Sequence, residues 1–166
     1  MPLPPDAAPR GYRASQITLH WLVFVVVAFL FLTGDNMTDA FNAIHRSGAQ
    51  PWSSVWVPIH IVAGVVVLGA MIWRMLLRRT YGAPPADEVR PFQILAAGVH
   101  YLLYLVLLLA PLVGLLAFFL LPSLAGAHHF LVRLPLLALV GLHVAGALWH
   151  ALVSRDNVLQ RMLRPI

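Results

Sequence analysis

The chain contains no cysteine and no lysine. Without thiols there is no disulfide, no thiolate metal site, no iron–sulfur cluster and no haem attached covalently through a C-x-x-C-H motif. Charge of either sign is scarce. Only 10% of the 166 residues are charged, where an ordinary soluble domain carries about a quarter. No Asp or Glu lies inside any long apolar run, so carboxylate-based ion or proton sites lack their usual intramembrane partners. The first sixteen residues are proline-rich and polar, so no cleaved signal peptide is expected. Nothing in the pattern points to a nucleic-acid partner.

What is present is hydrocarbon. Sixty per cent of the residues are hydrophobic, and they gather in four runs: Ile17–Thr33, Val55–Leu77, Ile94–Leu121 and Leu131–Val153. Each is near or above the roughly 20 residues that cross about 30 Å of hydrocarbon. The expectation is an all-α integral membrane protein, a four-helix transmembrane bundle spanning 1–166 as one membrane domain. Its helices should cover about 15–34, 53–77, 92–121 and 126–154, with Ser15 as a candidate N-cap for the first. The tails and loops are too short for a soluble core of their own.

Orientation follows from arginine. If the N-terminus is cytoplasmic, nine of the eleven arginines (Arg10, Arg13, Arg74, Arg78, Arg79, Arg90, Arg155, Arg161 and Arg164) lie on the inner side, and only Arg46 and Arg133 on the outer. That is a positive-inside pattern with both termini in the cytoplasm. It makes Gly34–Trp52 an outer loop and "YGAPPADEVRP" an inner one. Pro111 and Pro135 fall inside apolar runs, where membrane helices tolerate them with a kink. Pro135 leaves two starts open for the fourth helix, one before His128 and one near Leu134.

Eight histidines punctuate this apolar chain: His20, His45, His60, His100, His128, His129, His143 and His150. One membrane histidine alone can simply bridge to a neighbouring helix. A histidine on every helix points to function instead. By depth they divide into an inner and an outer group. Neutral imidazoles in apolar walls, with no carboxylate near, suit bis-histidine haem, whereas zinc needs three or four converging ligands. His129 and His143 are fourteen residues apart, nearly the same helical face and about 21 Å in rise if the helix is continuous. That spacing would stack two haems across the membrane. His143 and His150 are only seven apart, about 10 Å, too cramped for a second pair. Gly64, one turn after His60, permits close approach of a cofactor or simply of another helix. Arg74 is positioned as a positive-inside anchor that could also reach a haem propionate. His100 could contact a propionate or bond to a neighbouring helix.

Four stretches carry a resemblance: "YRASQITLHWLVF", "IHIVAGVVVLGAMIWRMLLR", "HYLLYLVLLLAPLVGL" and "GLHVAGALWHALVSRDNVLQRML". Together they resemble the bacterial cytochrome b561 family of four-helix, di-haem membrane cytochromes, over about the whole chain. The resemblance implies two haem b groups. His20 and His143 would hold the inner iron, and His60 and His129 the outer one, with adjacent His128 as the rival. It also implies a quinone site near the inner haem, with His150 as hydrogen-bond or proton donor, Arg155 beside it and His100 as a further residue that could contact the quinone. Some members resemble a superoxide oxidase, which passes electrons from superoxide outside to ubiquinone. Others anchor dehydrogenases or hydrogenases, or serve as carriers for a small redox protein. The expectation is therefore an oxidoreductase-type electron carrier in the bacterial inner membrane. Its partners would be lipid, ubiquinone, and superoxide or an outer-side redox protein. A haem-free metal or proton transporter is the competing class, weakened by the missing carboxylates.

Overall fold

The computed structural model describes residues 11–84, 90–128 and 132–165. Among these residues the chain is helical, with no strand. The elements are α1 (Ala14–Ser47), α2 (Trp56–Tyr81), α3 (Arg90–Phe119), α4 (Leu124–His128), α5 (Leu134–Trp149), a π-helical turn (His150–Ser154) and α6 (Val158–Arg161). Four helical segments are long and apolar enough to cross a membrane: α1, α2, α3, and α5 with its π turn. The protein is a multi-pass membrane bundle.

Its packing follows membrane logic. A thin seam is buried where the helices meet, built from Leu19, Val23, Val67, Ala70, Met71, Leu107 and Leu136. Large apolar side chains elsewhere point outward; Leu32 is 84% exposed and Leu152 70%. In water this would be an aggregate, but in lipid those side chains are at home and assembly rests on van der Waals contact between helices. A groove of about 500 Å³ between α1 and α2, lined by Val25, Phe29, Val62 and Val66 among others, is wholly apolar and contains no histidine. It belongs to the lipid-facing surface.

The helix limits depart from the sequence reading at three places. The first is α1, which runs on to Ser47 through the segment read as an outer loop. Its 34 residues rise about 51 Å, well beyond the hydrocarbon thickness of about 30 Å. The continuation is polar in composition but amphipathic in spacing. Met37, Ala40, Phe41 and Ile44 recur on one face, and Phe41 packs toward Phe118 at the end of α3 with ring centres 6.4 Å apart. Gly48 ends the helix in the left-handed conformation (φ 66°), and Ala49 N–H bonds the Ala43 carbonyl.

The second departure is the start of α1. The helix begins at Ala14, so Ser15 is inside it. The side chain of Gln16 instead accepts a hydrogen bond from Arg13 N–H at 3.1 Å. The third is the fourth membrane helix. α4 ends at His128, and α5 begins at Leu134 with Pro135 in its first turn. There a missing N–H costs nothing. His129 lies outside the described residues, so the His129–His143 register is not carried by one described α-helix.

Candidate functional site

The arginine-rich end of the bundle is tied shut by polar contacts between elements. Gln16 Nε2 donates to the Gly82 carbonyl at 3.1 Å, joining the start of α1 to the end of α2. The Arg13 guanidinium lies 3.8 Å above the Tyr81 ring. Trp21 Nε1 donates to the Met162 carbonyl at 2.9 Å and folds the C-terminal segment back against α1. Tyr12, just outside the span, has its phenol pushed upward by burial, with Arg78 opposing.

Just inside this closure three imidazoles converge from three helices. The His20 and His143 ring centres are 5.9 Å apart, and His100 is 5.0 Å from His143. Tyr12, Gln16, Arg74, Arg78, Tyr104 and Met162 complete the lining of the same cleft. Arg74 donates to His20 Nδ1 at 2.8 Å, and its guanidinium lies 5.9 Å from the Tyr104 ring. Arginine is only ever a donor, so in the neutral His20 ring the proton is on Nε2. His100 is set the other way. Its Nδ1–H donates to the Ala96 carbonyl at 2.7 Å, which leaves the lone pair of the neutral ring on Nε2.

The second histidine group lies toward the opposite end. His60 and Arg74 stand fourteen residues apart on the unbroken α2, a rise of about 21 Å. His60 Nδ1 is buried without a hydrogen-bond partner, which no other side-chain nitrogen or oxygen among the described residues shows. One turn on, Gly64 approaches α3; a Cβ there would stand 3.9 Å from that of Pro111. The same stretch of α3 receives His128. Its Nε2 donates to the Ala110 carbonyl at 3.0 Å, and a Cβ on Gly114 would come within 3.4 Å of that nitrogen. His128 lies within electrostatic reach of His60.

The structure thus gathers His20, His143 and Arg74 into one cluster, together with His100, for which the sequence left three roles open. It sets His60 apart near His128. Gly64 serves a helix–helix approach. His150 and Arg155 stand at the C-terminal exit of α5, where His150 bonds Asp156 at 2.6 Å. The sequence reading passed over Asp156, Tyr12, Tyr104 and Gln16 as site residues. Only Asp156 carried a signal, as the sole carboxylate in the C-terminal third of the chain.

The donor set fits a haem b. It comprises neutral imidazoles on facing helices, an orphaned imidazole nitrogen, no carboxylate among the described lining residues, and arginines at one end for acidic substituents. His20 and His143, on facing helices with ring centres 5.9 Å apart, are the pair that would hold the metal of one such group.

Four apolar helices with imidazoles turned toward one another fit a membrane cytochrome of the b type. The chain belongs to the prokaryotic cytochrome b561 family, whose model matches residues 11–165. It is 35% identical over 160 residues to cytochrome b562 of Cereibacter sphaeroides, covering 93% of this chain and 96% of that one. It is 28% identical over 182 aligned positions to the probable superoxide oxidase CybB of Yersinia pestis, with the same coverage of each. The protein is a membrane haem b electron-transfer protein.

Proposed function

We propose that this protein carries electrons between a one-electron donor on the outer side and the quinone pool of the bacterial inner membrane, through two haem b groups. The observation that carries the reading is that the histidines fall into two groups, His20, His100 and His143 beside Arg74, and His60 fourteen residues before Arg74 on α2, a rise of about 21 Å between those two positions. His20 and His143 would hold the inner haem. His60 would hold the outer one, paired with His129 or, from the neighbouring helix, His128. Bound haem supplies a one-electron carrier at each end.

The chain's own groups do the remainder. Arg74, bonded to His20 Nδ1, would pair with an acidic group of a bound cofactor, which would leave His20 free to bond its metal. Arg78 adds positive charge on the same side. The arginine excess at this end supports cytoplasmic termini. His150 and Arg155 are assigned to ubiquinone. A quinone that takes two electrons also takes two protons, and His150 is the titratable side chain at the exit of α5 from which one would come.

Superoxide is the donor suggested by the relative named a probable superoxide oxidase. In that reaction two superoxide anions each give up one electron and leave as dioxygen, while one quinone gains two electrons and two protons. One observation favours the second reading, a redox-protein donor. Of the two outer arginines, Arg133 is bonded to Asp35 at 2.6 Å, so the outer face has little net positive field to draw in an anion. Proteoliposomes holding haem-loaded protein and ubiquinone distinguish the two. Superoxide generated outside should reduce the quinone, and superoxide dismutase should abolish the signal. No quinone reduction by superoxide, with rapid reduction of the haem by a small soluble cytochrome, would transfer the role to a redox-protein donor.

A further inference from the structure

Beyond Trp149 the chain departs from ideal geometry twice within six residues. The α-helix widens into a π turn over His150–Ser154, and Arg155 then takes a left-handed conformation (φ 52°, ψ 37°). It is the only non-glycine residue with positive φ among those described. Side chains other than glycine avoid that region. Strained backbone and π bulges gather where a side chain must be aimed.

These two features aim Asp156 back at His150. In a continuing α-helix, residues six apart point about 120° apart and do not meet. Here Asp156 N–H bonds the His150 carbonyl at 3.2 Å. Asp156 Oδ2 accepts from His150 Nδ1–H at 2.6 Å, and Oδ1 accepts from Val158 N–H at 3.0 Å. Capping the next turn needs one carboxylate oxygen; the second is spent on the imidazole. The pair sits at the edge of the bundle, with side-chain exposures of 15% for His150 and 28% for Asp156. Burial tends to raise the Asp156 pKa, but the hydrogen bonds from His150 and Val158, with the charges of His150 and Arg161, bring it below the ordinary value.

We propose that Asp156 is a positioning residue for His150: it fixes the ring with its proton on Nδ1, so that Nε2 is the atom that exchanges protons with the quinone. An ionised carboxylate is acceptor only, so the hydrogen on the shared bond belongs to the imidazole. Neutral imidazole alone divides between two tautomers; bonded to Asp156 it holds one. When the protonated ring gives its Nε2 proton to a quinone oxygen, the product is the Nδ1–H tautomer already bonded to Asp156. Quinol oxidation runs the same proton transfer in reverse. The assignment rests on reading this end as the quinone site.

The test pairs a structural and a kinetic readout on the full-length, haem-loaded protein in lipid nanodiscs. Nitrogen-15 spectra of histidine-labelled, chemically reduced protein, with the His150 signal identified by its loss in His150→Gln, report the tautomer directly. Stopped-flow oxidation of the pre-reduced protein by decylubiquinone reports the function. The expected result is an Nδ1–H tautomer in the wild type, a mixed or inverted tautomer in Asp156→Asn, and quinone-driven oxidation slowed at least about tenfold at unchanged haem content. Asp156→Glu should recover part of both. A wild-type His150 protonated on Nε2 overturns the proposal, and so does an Asp156→Asn protein that keeps both tautomer and rate. If Asp156→Asn loses its haem, the wild-type tautomer and the Asp156→Glu rate still decide. Failure of the wild type to react with quinone would instead sink the quinone reading, and the tautomer would then test the His150–Asp156 pairing by itself.

Discussion

At the scale of single residues, the position of each histidine in the sequence says less than what its second nitrogen touches. His20, His100 and His128 are all imidazoles at partly buried positions, yet they face an arginine donor, their own helix's carbonyl and a carbonyl of α3 respectively. Those partners set which nitrogen bears the lone pair of each neutral ring, Nδ1 in His20, where Arg74 occupies it, and Nε2 in His100. Sequence spacing left two rivals for the outer pair, and the described contacts bear on one of them. His128 reaches α3 beside the helix that carries the orphaned His60 Nδ1. Single substitutions separate the rivals. Whichever of His128→Ala and His129→Ala removes the ligand should abolish one set of b-haem bands in the reduced spectrum. The other should leave both sets in place. Loss of both sets from either variant would mean that this segment maintains the whole bundle and does not hold one cofactor alone.

At the scale of elements, the sequence was most legible where hydrophobic length alone decides. Four apolar runs became four membrane-long helices. It was least legible where composition and spacing disagree. Gly34–Ser47 contains two aspartates, two asparagines, a histidine and an arginine, a loop by content. Its few apolar residues nonetheless share a face, and Phe41 among them packs toward Phe118 at the end of α3. The C-terminal turn was also beyond a sequence reading, because a π turn and a left-handed arginine leave no periodic signature. That element makes its own prediction. The folded-state pKa of Asp156 lies below its ordinary 3.8. Its ionised form therefore stabilises the turn fully above about pH 3.8, and the contribution is lost as pH falls through the lower folded value. Amide exchange in 155–162 should accelerate in the wild type across that acid window, after correction for intrinsic rates. In Asp156→Asn the same amides should already exchange faster at neutral pH and show no such step. Equal protection of the two proteins at neutral pH would contradict the assignment.

At the scale of the whole molecule, one bundle presents two chemically different ends. One is closed by arginines, tyrosines and a glutamine around three imidazoles. The other joins His60, His128 and an extended, amphipathic α1. Between them is apolar packing, and no Asp or Glu lies in any of the four apolar runs. The two-ended arrangement was legible in the depth of the histidines. The sequence read the fourteen-residue spacing on the fourth helix, where His129 lies outside the described residues, whereas α2 is unbroken over the fourteen residues from His60 to Arg74, the arginine bonded to His20.

The measurement that tests this account most directly is the haem-to-protein ratio, with optical spectra, of the purified wild type beside His143→Ala and His60→Ala. Two independent bis-histidine sites predict about two haems per chain in the wild type and about one in each variant. The band lost in His143→Ala should differ from the band lost in His60→Ala. A wild-type ratio of about one, or loss of the same band in both variants, would contradict it.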